Sequence, residues 1–181
     1  VDALAAIACA RAIGVAPEAI AQSLARYRGA HRRFERTGVV DGVSLYHDYG
    51  HNPTEMRAAL SVARQQHPRR LWAVMQPHTF SRVKTLFNDY LTCTQIADYT
   101  LVTDIFAARE KDPGDIKAEM IVDGMRKNGI DAVHPPSFDD TEAYLRAHWQ
   151  AGDLMISHGC GDIDLLNEQI LLHGDTKEDA K

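Results

Sequence analysis

Five short stretches of the sequence gather side chains that can hold an anion, orient a nucleotide or move a proton. In HDYGHNPTE (His47–Glu55), Asp48, Tyr49 and His51 bring a carboxylate, a phenol and an imidazole together, while Gly50 permits a tight turn and Pro53 suits the first position of a helix. Asn52 and Glu55 read as an N-cap with a capping-box partner, which explains the second half of the stretch but not Asp48, Tyr49 and His51. In QPHTFSR (Gln76–Arg82), His78 stands four residues before Arg82, and Ser81 can cap the helix that follows. Arg82 then falls in the first helical turn, where a cation opposes the helix dipole at a cost of roughly a few tenths of a kcal/mol. It therefore points to an anion or a carboxylate partner. DIFAAREKDPG (Asp104–Gly114) and SHGCGD (Ser157–Asp162) add further polar groups, the latter with Gly159 and Gly161 around Cys160. Upstream, GAHRRFE (Gly29–Glu35) sets Arg32 and Arg33 side by side, Arg33 fifteen residues before Asp48. That pairing suits a nucleotide held between domains, guanidinium on phosphate and carboxylate on ribose hydroxyls.

Other chemistries have less support. The nine histidines raise a zinc site of His51, His78 and Asp48, yet His47 and His51, at i, i+4, fall in a turn rather than on one helix face. A serine hydrolase needs a Gly-x-Ser-x-Gly elbow, which is absent. Cys160, with His158 nearby, reads as a packed thiol rather than a nucleophile. The Gly159–Gly161 pair lacks the third glycine of a dinucleotide fingerprint.

The elements that must carry these loops follow from periodicity. From Gly38 onward, strands near 42–46, 70–76, 99–103, 131–134 and 153–157 alternate with helices near 53–66, 81–96, 116–127, 139–147 and 163–172. Parallel strands need long crossovers, so this rhythm predicts an α/β fold: a three-layer, Rossmann-like, mostly parallel sheet of five or six strands with helices on both faces. Val39–Val40 adds a short edge strand through the turn at Asp41–Gly42. Each chemistry-bearing loop then follows a strand, at the sheet edge where ligands of open α/β sheets gather. Residues 1–28 read as two short helices, broken at Gly14 and restarted at Pro17, whose apolar side has nothing in its own stretch to pack on. The segment resembles the end of something larger.

Composition narrows the classes. With 181 residues, 45% hydrophobic and 25% charged, the chain fits one ordinary domain plus an appendage. A formal net charge of -5 argues against a nucleic-acid partner. No run approaches the roughly 20 apolar residues of a membrane span, so no membrane is expected either. Three scattered cysteines, Cys9, Cys93 and Cys160, suit a reducing cytoplasm. The final nine residues, HGDTKEDAK, read as a frayed tail.

In this order and spacing, GAHRRFE, HDYGHNPTE, QPHTFSR, AAREKDPG and GDLMISHGCGDI resemble the C-terminal part of the Mur ligases, over about Asp2 to Ile170. The resemblance implies residues 1–29 as the helical end of a central ATPase domain, 30–172 as the C-terminal Rossmann-like domain and 173–181 as a flexible tail. It implies an ATP-dependent amide ligase of peptidoglycan synthesis, adding L-alanine to UDP-N-acetylmuramate through an acyl phosphate, with ATP and magnesium used by the full-length enzyme. Its partners are then those two substrates and the N-terminal and central domains of the same protein. Gly-x-x-Gly-Lys-Thr/Ser, the family's phosphate-binding loop, is absent here, so this stretch alone is expected to be inactive and to hold no cofactor. The matching positions imply nucleotide contacts at Arg33, Asp48, Tyr49 and His51, substrate contacts at His78 and Arg82, no metal ligand, and structural roles for Gly159 and Gly161. The sequence departs from the usual pattern at His47, Asn52, Thr79 and Cys160, with Thr79 standing where many members carry arginine. The alternatives are a family relative that recycles cell-wall tripeptide and a stand-alone Rossmann-like module for a small anion.

Overall fold

A computed structural model describes residues 2–27 and 29–174. Of the tail expected over 173–181, residues 175–181 lie outside the described residues. The chain divides into two compact units, residues 1–30 and 31–181. In the first, α1 (Asp2–Ala12) and α2 (Pro17–Arg26) form a helical hairpin, with Pro17 at the start of α2 as its fixed φ favours. No residue of α2 is buried, and Leu4, Ile13 and Tyr27 are largely exposed.

The second unit is built on six strands: β1 (Glu35–Val40), β2 (Val43–Asp48), β3 (Leu71–Met75), β4 (Tyr99–Val102), β5 (Ala132–Val133) and β6 (Leu154–His158). Their order across the sheet is β1-β2-β6-β3-β4-β5, with β1 antiparallel to β2 and every other pairing parallel. The crossovers are α3 (Pro53–Arg64), α4 (Phe80–Thr85) with α5 (Phe87–Tyr90), α6 (Ala118–Lys127) and α7 (Phe138–His148), and α8 (Asp164–His173) follows β6. Alternate residues of β3 show how the layers divide. Leu71, Ala73 and Met75 pack with the apolar stripes of α3 to α6, whereas Trp72 and Val74 pack with Leu145 of α7 and Leu166 and Ile170 of α8. All residues of β3 and β6 are buried, as central strands covered on both faces must be.

Three expectations need correction. The edge strand extends over six residues rather than two, with a register shift between Arg36 and Gly38 that its alternation does not advertise. The helix expected over 81–96 stops at Thr85, restarts at Phe87 and gives way to turns after Tyr90. Thr92, Cys93 and Thr94 are weak helix formers, and Cys93 and Thr94 are buried, Thr94 accepting a hydrogen bond from the Thr100 hydroxyl at 2.9 Å. The strand expected over 131–134 shrinks to Ala132–Val133, since Pro135 and Pro136 follow it without amide donors.

One polar group locks the amino edge of the sheet. Asp153 is buried just before β6 and accepts from Arg70 Nη2 at 2.7 Å, Trp72 Nε1 at 2.9 Å and the Gln150 amide at 2.9 Å. Burial raises its carboxyl pKa, but these donors outweigh that and hold it below the usual range.

Candidate functional site

Strand β6 lies between β2 and β3, and the chain leaves β6 toward one face of the sheet while it leaves β2 and β3 toward the other. Such reversals open crevices at the carboxyl ends of the strands, where loops diverge and backbone groups are uncovered. The loops after β2, β3 and β6 meet here, and GAHRRFE joins them.

Asp48 is the junction of the first two loops. Its Oδ2 accepts from the Phe34 amide and its Oδ1 from the Gly50 amide, both at 2.8 Å, while the Tyr49 amide donates to the Arg32 carbonyl at 2.7 Å. A Cβ on Gly50 would stand 2.6 Å from Asp48 Oδ1 and 3.0 Å from Glu55 Cβ, so a side chain there would push the Asp48 carboxylate from its place. Each carboxylate oxygen can accept a further hydrogen bond, such as one from a ligand hydroxyl.

The neighbouring arginines point to different tasks. Arg32, with φ at +57°, turns inward: Nε donates to His47 Nε2 at 2.9 Å, and Nη2 to the carbonyls of Gly161 at 3.0 Å and Gly159 at 3.3 Å. It thereby ties GAHRRFE to both β2 and the glycine loop after β6. Arg33 is exposed and lies over the Tyr49 ring at 5.1 Å, with no hydrogen-bond or ion-pair partner among the described residues. A guanidinium held on a ring face with its donors free is poised for an anion.

Asn52 caps α3 as expected, accepting from the amides of Thr54 at 3.1 Å and Glu55 at 3.0 Å, and Glu55 reaches back to the His51 amide at 3.0 Å. The Tyr90 hydroxyl donates to the His51 carbonyl at 2.8 Å, anchoring the loop from below. The His51 ring meets Tyr49 and His78 edge to face at 5.8 and 5.6 Å, and His78 stacks on Phe106 at 5.6 Å. Arg82 Nη1 donates to the His78 carbonyl at 2.9 Å and lies 3.2 Å from His78 Nδ1. Nδ1 must then accept, which leaves the proton on Nε2. Burial, then Arg82, then His51 push the His78 pKa down, keeping this ring neutral. Arg82 has no carboxylate partner among the described residues. The structure thus brings Asp48, Tyr49, His51, His78 and Arg82 to one edge, with Arg33 over Tyr49.

Ser81 does not cap its helix. Thr79 takes that place without a capping bond of its own, and the Ser81 amide instead donates to Glu110 Oε2 at 2.9 Å. Glu110 lies in AAREKDPG, a stretch whose acid carries no role in a reading of sequence alone. Also unforeseen is the buried chain from Arg32 through His47 to Ser157, in which His47 Nδ1 lies 2.8 Å from Ser157 Oγ. Burial and then Arg32 push the His47 pKa down to about 4. His158 is fully buried in register with Asp48 and Met75, and burial likewise pushes it down to about 4. Cys160 is half-buried and its pKa is raised, chiefly by burial, so it remains a thiol. A Cβ on Gly161 would lie 2.3 Å from Gln76 Oε1, which explains the glycine as a packing requirement. Among the described residues, no group of three or more His, Cys, Asp or Glu side chains is arranged to hold a metal ion.

The fold and these motifs define a Mur ligase domain: residues 32–161 match the family described as Mur ligase, glutamate ligase domain, and the chain belongs to that family. Among similar proteins, the UDP-N-acetylmuramate--L-alanine ligases of Clostridium novyi and Acetivibrio thermocellus are 41% and 39% identical over 94% of this chain. The chain spans 37% and 36% of their lengths. The crystal structure of the UDP-N-acetylmuramate-alanine ligase from Thermotoga maritima shares the fold with a TM-score of 0.76 and 22% identity, covering 94% of this chain and 36% of that one.

Proposed function

We propose that this chain is the domain of an ATP-dependent amide ligase that closes over its reaction site, and that the enzyme adds L-alanine to UDP-N-acetylmuramate in peptidoglycan synthesis. The observation that carries this reading is the row of cationic and imidazole groups on one sheet edge, Arg33 over Tyr49 with its donors unused and Arg82 bonded to His78 without a carboxylate partner among the described residues, in a chain close in sequence to proteins of that name. In this reading, Arg33 meets a nucleotide phosphate and Asp48 the ribose hydroxyls, with Tyr49 and His51 lining the cleft. His78 and Arg82 meet the muramoyl and alanine carboxylates. Residues 1–29 are the helical end of a central ATPase domain, residues 30–172 the closing domain, and the remainder a tail.

The reaction proceeds in two transfers. The muramate carboxylate attacks the γ-phosphorus of ATP and ADP leaves; the L-alanine amine then attacks the acyl phosphate carbon, an amide forms and phosphate departs. Magnesium, where bound with ATP, would supply neutralisation of phosphate charge. The domain's part is to present donors to developing and transferred negative charge. A cytoplasmic enzyme is expected from these soluble substrates, and no helix among the described residues is long and apolar enough to cross a membrane. The test is phosphate release from ATP by the full-length protein with UDP-N-acetylmuramate. Release that depends on L-alanine is expected; release that depends on a preformed tripeptide instead would assign the protein to cell-wall recycling.

A further inference from the structure

We propose that Glu110 is the positioning residue that holds His78 and Arg82 in their anion-facing arrangement, acting through Thr79 and Ser81. This rests on the reading of His78 and Arg82 as contacts for the acceptor carboxylate. Glu110 stands on the loop after β4, its amide donating to the Ala107 carbonyl within that loop at 2.9 Å, yet its carboxylate bonds go to Thr79 and Ser81, on the stretch that leaves β3 and enters α4. Oε1 accepts from the hydroxyls of Thr79 and Ser81, and Oε2 from the Ser81 amide. Thr79 and Ser81 sit between His78 and Arg82 in the chain, so a grip on them fixes both flanking side chains. The same β4 loop holds the other end: the Phe106 amide donates to the Pro77 carbonyl at 2.8 Å and its ring stacks on His78. The stretch carrying His78 and Arg82 is thus clamped before His78 and again between His78 and Arg82, and Arg82 bonds back to the His78 carbonyl across the gap. The hydrogen bonds, first that of the Ser81 hydroxyl, hold the Glu110 pKa down to about 2, so it is an acceptor-only carboxylate throughout the neutral range.

A brace and a charge make opposite demands. If Glu110 acted only through its negative charge, Glu110→Gln would remove repulsion and strengthen use of an anionic acceptor. As a brace, the glutamine fails, because its amide nitrogen has no lone pair for one of the donors that Glu110 now satisfies.

The experiment is initial-rate kinetics of the full-length protein bearing Glu110→Gln, Glu110→Ala and Arg82→Ala, and each Glu110 change combined with Arg82→Ala. Both Glu110 variants are expected to raise the KM for L-alanine about tenfold, leaving kcat and the KM for ATP within about twofold. With Arg82 already removed, they are expected to lower kcat/KM for L-alanine by less than they do in its presence, the remainder acting through His78, since coupled residues are not additive. Lower KM in Glu110→Gln, losses that multiply with Arg82→Ala, or an unchanged KM in both Glu110 variants overturns the proposal. If Arg82→Ala itself leaves L-alanine use unchanged, the underlying reading of the site falls first and the brace with it. Glu110→Gln conserves size on a solvent-facing loop, and its melting temperature, expected near that of the parent, separates a local effect from misfolding.

Discussion

Arg32 and Arg33 are adjacent and chemically identical, and only the backbone tells them apart. The sequence shows two guanidiniums at a junction, and both lie 5.1 Å from the Tyr49 ring; the left-handed conformation at Arg32 turns its donors inward to three carbonyl and imidazole acceptors and leaves those of Arg33 unused. Such a turn has no signature in residue type, because a non-glycine at positive φ is held by its surroundings rather than by its own preference. Arg32→Ala is expected to destabilise the domain by about 1.5–3 kcal/mol, the range for hydrogen bonds to a charged group, in urea unfolding. Arg33→Ala is expected to leave the unfolding midpoint nearly unchanged, and equal losses would contradict this division. Asp48, Tyr49, His51, His78 and Arg82 were legible from type and position after a strand, whereas Glu110 was not. Its partners lie 29 and 31 residues away, and nothing local marks it.

The strands and helices were legible wherever one period dominated. Met56, Ala59, Leu60 and Ala63 announce α3, and the uninterrupted apolar run Leu71–Met75 announces a strand buried on both faces. The helix expected over 81–96 failed because its tail serves the core through Cys93 and Thr94, a tertiary demand that overrides the repeat. The insertion of β6 between β2 and β3 was also out of reach, since no residue type encodes strand order. The Asp153 clamp that joins β6 to β3 should therefore matter greatly. Asp153→Ala leaves the buried Trp72 indole without its acceptor and Arg70 with only the His148 carbonyl, and a cost of about 1.5–3 kcal/mol, the range for hydrogen bonds to a charged group, is expected by urea unfolding. The strand-end histidines add a pH dependence. His47 and His158 are held to about 4 when folded against about 6.5 when free, so between these values the unfolded chain binds more protons. Their contribution is complete above about pH 6.5, is lost as pH falls toward about 4, and changes no further below. Glu55, Glu142 and Asp153, with lowered carboxyl pKa values, lose their contributions only at more acid pH. Melting temperature is thus expected to fall between pH 7 and pH 5, less steeply in His47→Gln; a flat profile would contradict the burial of these rings.

The unit of residues 31–181 carries all the groups of the anion-facing edge. Two charge-assisted contacts of roughly 1.5–3 kcal/mol each offer about 3–6 kcal/mol, while association costs at least about 4. The remainder falls short of the roughly 4 kcal/mol of a millimolar dissociation constant. Calorimetry with the 181-residue chain is therefore expected to show no saturable ATP binding below the millimolar range; micromolar binding would mean that this edge suffices by itself. The family was legible because five motifs stand in a fixed order, and the sheet explains that order, since each motif occupies the mouth of the same crevice or the loop bracing it. The central claim is that one edge serves two ligands through separate residues. Its most direct test is the initial rate of L-alanine-dependent phosphate release by the full-length protein carrying Arg33→Ala, Asp48→Ala or Arg82→Ala, with each substrate varied in turn. The expected result is a raised KM for ATP in the first two and impaired use of L-alanine or UDP-N-acetylmuramate in the third. A reversed pattern, or three variants equally impaired toward every substrate, would contradict it.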